Sequence, residues 1–586
     1  GHGLTHRHRP ACRPRGLGVM RILKWLALVS VFLTSCLWLS SCNQHSEADA
    51  RLNLPGQVST PSTAPSLATN FAASRLLSQA SFGATRSSVE SVQRLGMPAW
   101  IESQMRLPPT QIDWTPIAFY IDVNRERDNT FYGSFADIEI TRALFQGPDQ
   151  LRLRTTWALS NFIVISQAKI FPTGVSEYFN KLQQFALGNF ADLIYMIIRD
   201  PAMAWYLDND INRAPSRYCL DCYLNENFAR ELLQLFTVGV YKLHLDGSIV
   251  RDAKGNPIET YTQADVQNMA RALSGWTKDN EHVLRSKEPG AGPPSNSNGF
   301  DRWMIDPYRS LHDTESKLIL GTLIPAGQSA DQDARAVAEL LTKHPNTAPF
   351  VSQRLIQFMV KSDPSPDYVK RIAQIFVNDG TGRSGNLAAV VSALLLDPEA
   401  RLHDNPSLSA KDAGRIKEPL LRAINIMRHL ECKAMLLTEW NTRKHPFGVN
   451  EQRPLAAPSV FSFYSPSHRA PGTNVKAPEQ KLLTSRQFSN YFGDLRGFFW
   501  AGGSNSDRLF REAGCEVESL TKALALSPLA FIAEVNQRFF AGAMPASLRH
   551  MAEDLLSADG PQTEPIQRVV NVLSVVLTSP SYAVQR

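Results

Sequence analysis

The sequence predicts an all-α protein, mainly helical, in which one large unit carries a few short β hairpins and long loops. Apolar residues recur at the 3.6-residue spacing of helices through most of the chain. Short β-like runs are confined to residues 303–306 and 318–323. The sequence contains no GxGxxG, P-loop, HExxH or GxSxG motif, and its low strand content argues against the sheet-based hydrolase folds.

The chain begins with the features of an export signal. Residues 1–41 are predicted to be an upstream extension and a lipoprotein signal peptide that starts at Met20, where Arg21 and Lys24 precede an apolar run. That run ends in Leu-Ser-Ser-Cys at 39–42, which resembles the lipobox of bacterial lipoproteins, whose cysteine is lipidated. Cys42 is therefore the predicted lipidation site; the alternative is a soluble secreted protein in which Cys42 is incidental.

The segment after the signal is predicted to be a tether. Residues 42–71 are rich in Ser, Thr and Pro, a composition that cannot bury a core. By resemblance to lipoprotein sorting, the absence of Asp at Asn43 favours the outer membrane, with the lipid as the membrane anchor. We expect an exported lipoprotein, periplasmic or surface-facing, whose residues 72–586 form a single large helical domain.

The net charge argues against nucleic acid as a partner. The formal net charge is +6, but residues 1–41 hold six basic residues and no acid. Subtracting those six charges leaves residues 42–586 formally neutral. Nucleic-acid binding needs a lasting basic surface, so we expect none.

Four cysteines remain after the signal peptide and the lipidation site. Cys219 and Cys222 have CxxC spacing, and a local disulfide between them is the preferred prediction in an oxidising compartment. Two free thiols, or pairing with the distant Cys432 and Cys515, are the alternatives. A zinc site would require a second close pair, which the sequence lacks.

Periodicity places helices along most of the folded part. The N-terminal half is predicted to contain helices at 71–80, 87–105, 137–167 with a break near 147–148, and 176–199. The C-terminal half is predicted to contain helices at 332–343, 348–361, 366–378, 386–397, 414–430, 479–496, 528–541, 546–557 and 565–578. Residues 242–260 carry turn signals, residues 279–300 form a long loop, and residues 452–467 are predicted to pack as an extended arm.

Residues 225–240, NENFARELLQLFTVGV, are predicted to be the central helix. At 100° per residue, one arc of this helix collects polar side chains and the remainder is apolar. The polar arc holds Glu226, Asn227, Arg230, Glu231, Gln234 and Thr237. Glu226 and Arg230 have the i, i+4 spacing of an intrahelical ion pair. An ordinary amphipathic helix with a solvated face is the alternative to a functional surface.

A second marked helix is predicted at 262–276, where Thr262 and Asp265 form a capping-box-like pair. Its buried stripe holds Val266, Met269, Ala270, Leu273 and Trp276. An antiparallel arrangement with the central helix could bring the polar ends of both into one cleft.

Seven blocks of sequence occur in an order that resembles the bacterial domain-of-unknown-function family number 1800. They begin with ASRLLSQASFGAT near residue 73 and NENFARELLQLFTVGV, and they end with LTSPSYAVQR. The blocks between these are YTQADVQNMARALSGW, HDTESKLILG, HPNTAPFVSQRL and QRPLAAPSVFSFYSP. The resemblance implies a mainly helical, exported protein over residues 72–586. It also implies a secreted sulfatase-like protein as a partner, because members are often encoded beside such a family, but it implies no established activity.

The polar groups of these blocks are the candidate site. The catalytic or metal-ligand candidates are the carboxylates and the histidine, Glu226, Glu231, Asp265, His312 and Asp313, since such groups act as general acids and bases. The binding candidates are Asn225, Asn227, Arg230, Arg271 and Lys317. A divalent metal could be held here, although no motif indicates one. The alternative is a network of ion pairs that only fixes the fold.

Three functions follow from these observations. The first is a cell-envelope binding or accessory lipoprotein that acts with a secreted enzyme on polymeric or envelope material. The second is a hydrolase that uses the Glu/Asp/His set, and the third is a purely structural envelope protein. The binding function predicts a groove lined by exposed aromatic side chains, for example Trp303, Phe461, Phe463 and Tyr464.

Overall fold

A computed structural model gives the fold of most of the chain after residue 67. It describes residues 68–113, 133–213, 223–279, 300, 302–305, 311–407, 414–433, 452–485, 489, 491–493, 495, 514–559 and 562–585. The predicted signal peptide, Cys42, the tether up to residue 67 and the Cys219–Cys222 pair lie outside the described residues.

Three helices open the described chain: α1 (Asn70–Ala80), α2 (Arg86–Leu95) and α3 (Met97–Met105). Sequence periodicity predicts α2 and α3 as one helix, but the chain breaks at Gly96 and Pro98 begins the next helix. The hydroxyl groups of Thr69 and Thr85 accept hydrogen bonds from the first turns of α1 and α2.

Five more helices follow residue 132. They are α4 (Gly133–Gln146), α5 (Gln150–Ser160), α6 (Pro172–Phe185), α7 (Phe190–Arg199) and α8 (Pro201–Tyr206). Every residue of α5 is buried, so this helix is packed on all sides. The predicted helix 176–199 is two helices, because Asn189 caps a new helix after Gly188.

The predicted central helix is present, but its second half is not α-helical. Helix α9 (Asn227–Glu231) continues as a π-helix over Leu232–Thr237, with one extra residue per hydrogen-bonded turn. A meander joined by isolated antiparallel bridges, from Tyr241–Glu259 to Arg251–Pro257, follows it. Helix α10 (Gln263–Ala272) then opens with the predicted Thr262–Asp265 capping box.

A hairpin precedes the next helical layer. Strands β1 (Lys317–Ile319) and β2 (Thr322–Ile324) pair antiparallel, and β1 packs against α10. Of the other predicted β-like run, residues 303–305 are described, and Ile305 forms an isolated bridge with Thr277. Five helices follow, α11 (Ala330–Lys343), α12 (Thr347–Met359), α13 (Pro366–Val377), α14 (Leu387–Leu396) and α15 (Pro398–Arg401).

The C-terminal part returns to the N-terminal helices. Strand β3 (Arg415–Ile416) pairs antiparallel with β4 (Val584–Gln585). Helix α16 (Pro419–His429) begins after β3, so the predicted helix 414–430 starts later than expected. The predicted helix 479–496 begins as a 3₁₀ turn, Pro478–Leu482. The remaining helices are α17 (Glu518–Leu526), α18 (Pro528–Phe540), α19 (Ala546–Ala558), α20 (Pro565–Thr578) and α21 (Pro580–Ala583).

The prediction of an all-α fold is confirmed. In the described ranges, strands form only the β1–β2 and β3–β4 pairs. A continuous core of buried apolar residues extends from Ala73 to Tyr582 and includes side chains from nearly every helix. None of the helices in the described part of the chain is both long and apolar enough to cross a membrane.

Candidate functional site

The structure brings the starts of α9 and α10 together, as the sequence suggested. Nη2 of Arg230 lies 3.0 Å from Oε2 of Glu226, the predicted i, i+4 ion pair. Gln263 at the start of α10 donates to the same carboxylate oxygen at 2.7 Å and accepts from Arg230 at 3.1 Å. Glu226 and Arg230 are partly exposed and Gln263 is exposed. The three side chains hydrogen-bond to one another and so clamp the two helices.

The two asparagine candidates fix the entry to α9. The backbone of Asn225 exchanges two hydrogen bonds with the side chain of Asn212, at 2.8 and 2.9 Å. Its own side chain accepts from the backbone N–H of Asn227 at 2.9 Å. Asn225 therefore anchors the start of the helix to the preceding loop.

The π-helix changes which side chains face outward. Thr237 is predicted on the polar arc, but it is buried and donates to the carbonyl of Leu232, five residues earlier, at 2.6 Å. Leu235 is predicted to face the core, but it is only partly buried and lines a surface groove. The prediction failed for these two residues because a wheel of 100° per residue does not hold after Leu232.

Glu231 is the one predicted carboxylate without a complete set of partners. Its Oε2 atom is buried and accepts no hydrogen bond from the described residues. Burial raises the pKa of Glu231, and the charge of Arg230 opposes that rise. Burial and the charge of Glu231 together raise the pKa of Tyr206 to about 12.

Asp265 is occupied by capping. One oxygen accepts from the backbone and the hydroxyl of Thr262, at 2.8 and 2.7 Å, and the other accepts from the backbone N–H of Leu320 at 2.7 Å. Burial alone would raise the pKa of Asp265, but these hydrogen bonds lower it. The carboxylate therefore joins α10 to the β1–β2 hairpin.

Asp313 is paired with Arg271. The guanidinium donates to both carboxylate oxygens, at 2.7 and 3.1 Å, the bidentate geometry that arginine favours. Burial alone would raise the pKa of Asp313, but the bond from Arg271 holds it below its ordinary value. Gly275 lets the backbone at His312 approach closely, because a β-carbon at position 275 would lie 2.8 Å from Cβ of His312.

His312 and Lys317 meet at a residue that the sequence analysis missed. Oδ2 of Asp333 lies 3.2 Å from Nε2 of His312 and 2.8 Å from Nζ of Lys317. Lys317 also donates to the carbonyls of Asp313 and Glu315, at 2.5 and 2.8 Å, and all three side chains of this group are buried. Asp333 lies in the first turn of α11, where an acidic residue is an ordinary helix-start feature, so no local signal marked it.

The predicted candidates therefore form several local clusters. Four of the five catalytic candidates have charged or hydrogen-bonding partners of their own: Glu226, Asp265, Asp313 and His312. None of the five lines the surface groove beside the π-helix. Among the described residues, no group of three His, Cys, Asp or Glu side chains is placed to hold a metal ion. This arrangement is suited to holding α9, α10, α11 and the hairpin together.

An open groove lies beside the π-helix. Its volume is about 460 Å³. Its walls come from the π-helix, the meander after it, α12 and the loop 460–476; the apolar lining includes Leu235, Tyr241, Ile249, Phe350 and Phe461. Phe461 is 55% exposed, so the groove offers an accessible aromatic ring.

Arg354 is the cation of this groove. Nη1 of Arg354 donates to Oε1 of Gln357 at 2.9 Å, and the guanidinium lies 4.9 Å from the ring centre of Phe350. It forms no ion pair with any described carboxylate. Burial lowers its pKa to about 10, so it stays charged at neutral pH.

A family model described as "Protein of unknown function (DUF1800)" matches residues 75–584. The chain belongs to this family. Searches of curated proteins and of solved structures found no significant match.

In this DUF1800 protein, the block that starts at Gln452 supports the interior. Gln452 and Trp157 donate to Oε2 of Glu418 at 2.8 and 3.0 Å, and Tyr464 donates to its other oxygen. Arg415 pairs with both Glu418 and Glu479 in the same buried cluster. Burial alone would raise the pKa of Glu418, but the charge of Arg415 lowers it.

The four aromatic candidates of the binding hypothesis separate in the structure. Phe461 lines the groove, whereas Tyr464 is buried against Glu418 and does not. Trp303 packs against the ammonium of Lys181, 4.7 Å from its ring centre, and Phe463 packs partly buried against the core. The spacing of the aromatic-rich segment did not reveal which ring faces outward, because the segment is irregular.

The DUF1800 chain contains one disulfide among its described residues, between Cys432 and Cys515. The alternative that Cys219 or Cys222 pairs with these distant cysteines is therefore wrong. Neither Cys432 nor Cys515 has another cysteine nearby in the sequence, so the fold brings the two together. The local Cys219–Cys222 disulfide stays a prediction.

Proposed function

We propose that this protein is an exported, lipid-anchored binding protein of the cell envelope, and that the groove beside the π-helix holds its ligand. The observation that carries the proposal is the charge of Arg354 in an apolar groove with no carboxylate partner. A charge left unpaired in partly dry surroundings is costly unless a ligand completes it. The ligand should therefore present an anionic group.

The shape of the groove favours an extended ligand. Its volume of about 460 Å³ lies within the range of roughly 300–1,000 Å³ that is usual for small-molecule pockets, and its open side lets a longer chain continue past it. Phe461 and Tyr241 offer aromatic faces, and Lys476 at the edge is already paired with Asp363 at 3.5 Å, so Arg354 is the cation left for a ligand. A linear polymer that carries carboxylate or sulfate groups matches these features.

Export is supported by the Cys432–Cys515 disulfide, because disulfides persist in oxidising compartments. The lipobox at Cys42 supports an outer-membrane anchor. In this proposal the protein holds envelope material while a secreted, sulfatase-like partner acts on it. The ion pairs of Glu226, Asp265, Asp313 and His312 serve the fold and take no part in binding.

Affinity electrophoresis tests the groove. Gels contain a polyuronate, a sulfated glucan or an uncharged glucan, and we expect an acidic polymer to retard the protein and the uncharged glucan to leave it unaffected. Arg354→Gln should weaken the interaction about tenfold, since a charged hydrogen bond contributes roughly 1.5–3 kcal/mol. Phe461→Ala should weaken it as well.

Two variants outside the groove are matched controls. Arg94→Gln removes an exposed arginine and Tyr223→Ala removes an 80% exposed ring, and both should bind as the wild type does. The proposal is wrong if no acidic polymer binds, or if Arg354→Gln binds as tightly as the wild type.

The anchor has a separate test. Cells that express the full chain are fractionated after labelling with a fatty acid, and label is expected in the outer membrane. Cys42→Ser should lose the label and leave the membrane fraction. Unlabelled wild-type protein in the cytosol would contradict the proposed location.

A further inference from the structure

A second pocket lies where the two ends of the described chain meet. Its volume is about 80 Å³, its mouth is open to solvent, and its lining shares no residue with the groove. Lys417 follows strand β3 and Tyr582 precedes strand β4, so the β3–β4 pair places both at this pocket. Helix α1 contributes Arg75, and helix α18 contributes Arg538.

Among the described residues, the lining of the pocket has cations and no carboxylate. Arg75 is neutralised by Asp404, and Arg538 by Glu516 and Glu534, none of which lines the pocket. Lys417 is 6% exposed and forms no ion pair with any described residue. When Lys417 is protonated, one uncompensated positive charge therefore remains at the pocket.

The neighbours of Lys417 hold it without neutralising it. Nζ donates to Oδ1 of Asn425 at 3.0 Å and lies 3.9 Å from the ring centre of Tyr582. The hydroxyl of Tyr582 donates to the same oxygen of Asn425 at 2.8 Å and lies 3.2 Å from Nδ1 of His429. An ammonium has three donors, and within the described part of the chain only one of them has a hydrogen-bond acceptor.

We propose that this pocket binds a small amphiphilic carboxylate, with the ammonium of Lys417 as its counter-charge. A single positive charge matches a monoanion better than a phosphate monoester, which carries about −1.5 to −2 at pH 7. The apolar part of the ligand would pack on Phe71, Phe539 and Phe540, which also line the pocket. The serine hydroxyls of Ser74, Ser78 and Ser581 supply further hydrogen bonds.

The protonation of Lys417 should couple to binding. Burial, with a smaller effect of Arg422, lowers the pKa of Lys417 to about 7. Burial also lowers the pKa of His429 far below its usual value and raises that of Tyr582, so both stay neutral between pH 7 and 9. The other cations around the pocket are Arg75, Arg422, Arg428 and Arg538, and the carboxylates beside them are Asp404, Glu516 and Glu534. Lys417 is the cation whose pKa lies in this range.

Isothermal titration of the purified protein with octanoate, and with 1-octanol as the neutral match, tests the proposal. Octanoate should bind and octanol should not. Above pH 7 the affinity for octanoate should fall about tenfold per pH unit, because binding then requires uptake of one proton. Lys417→Met should abolish binding, and Lys522→Met, at an exposed lysine, should leave it unchanged.

Two further variants separate loss of binding from loss of folding. Lys417→Arg keeps the charge, so octanoate binding should persist and lose its pH dependence. Ser78→Asp adds a carboxylate to the pocket and should prevent binding while thermal unfolding stays cooperative. Equal binding of octanoate and octanol, or octanoate binding by a folded Lys417→Met variant at wild-type affinity, would overturn the assignment.

Discussion

Nζ of Lys317 lies 2.8 Å from Oδ2 of Asp333, and both side chains are fully buried. The pair joins strand β1 to the first turn of α11, and His312 contacts the same oxygen. A catalytic candidate, His312, and a binding candidate, Lys317, thus converge on an unforeseen carboxylate. Lys317 has an acceptor for each of its three donors, which is the state of a residue that holds structure.

We predict that Lys317→Met destabilises the protein by about 3–5 kcal/mol. Removing one partner of a buried ion pair leaves Asp333 as a charge that only His312 can offset. Urea unfolding followed by circular dichroism measures the loss. The matched control is Lys343→Met, which breaks the exposed pair with Glu339 on the same helix and should cost under about 1 kcal/mol. Equal losses would contradict the structural role of Lys317.

The sequence predicted the parts of this region that depend on local pattern. Periodicity indicated α9 and α10, and the Thr262–Asp265 capping box and the Glu226–Arg230 pair follow from spacing alone. Asp333 lies 21 residues from His312, so its role depends on packing between elements that no local pattern encodes. The same limit applies to Arg354, whose lack of a partner is visible only in three dimensions.

The π-helix shows a second limit of prediction from the sequence. The wheel was right for Glu226 and Arg230, before the π-turn, and wrong for Thr237 after it. A π-turn has no strong residue signature, and the sequence of this segment is that of a good α-helix. The position of Leu235 at the groove therefore required the structure.

We predict that Glu231→Gln stabilises the protein at pH 7 and leaves its stability unchanged at pH 3. Burial raises the folded-state pKa of Glu231, so its contribution to stability is present below the unfolded pKa and is lost as pH rises through the folded pKa. Thermal unfolding at both pH values measures the difference. Glu226→Gln is the contrasting control, because it weakens the pair with Arg230 and should lower stability slightly at pH 7. A lower melting temperature of Glu231→Gln at pH 7 would refute this account.

The Cys432–Cys515 disulfide should stabilise the protein strongly. Cys432 and Cys515 are separated by 83 positions, so their bond closes a long loop. Replacing both with serine should cost about 4–5 kcal/mol by the loop-entropy relation. The Cys219→Ser, Cys222→Ser double variant should cost about 2 kcal/mol if those residues form the predicted local disulfide, because a short loop constrains the unfolded chain less. Guanidinium unfolding of both variants checks the order, and the reverse order would contradict the assignment.

Gly239 connects backbone geometry to the groove. Its φ is +73°, and an added β-carbon would lie 3.0 Å from Cδ2 of Phe350, the ring on which Arg354 stacks. We predict that Gly239→Ala lowers stability by more than the roughly 1–2 kcal/mol of a positive φ alone, and that it weakens binding of the acidic polymer. Gly255→Ala is the matched control, because Gly255 has a φ of +86° and nothing within 4 Å of the added carbon. The control should lose stability through φ alone and keep polymer binding. If both variants lose the same stability and bind alike, the contact with Phe350 does not shape the groove.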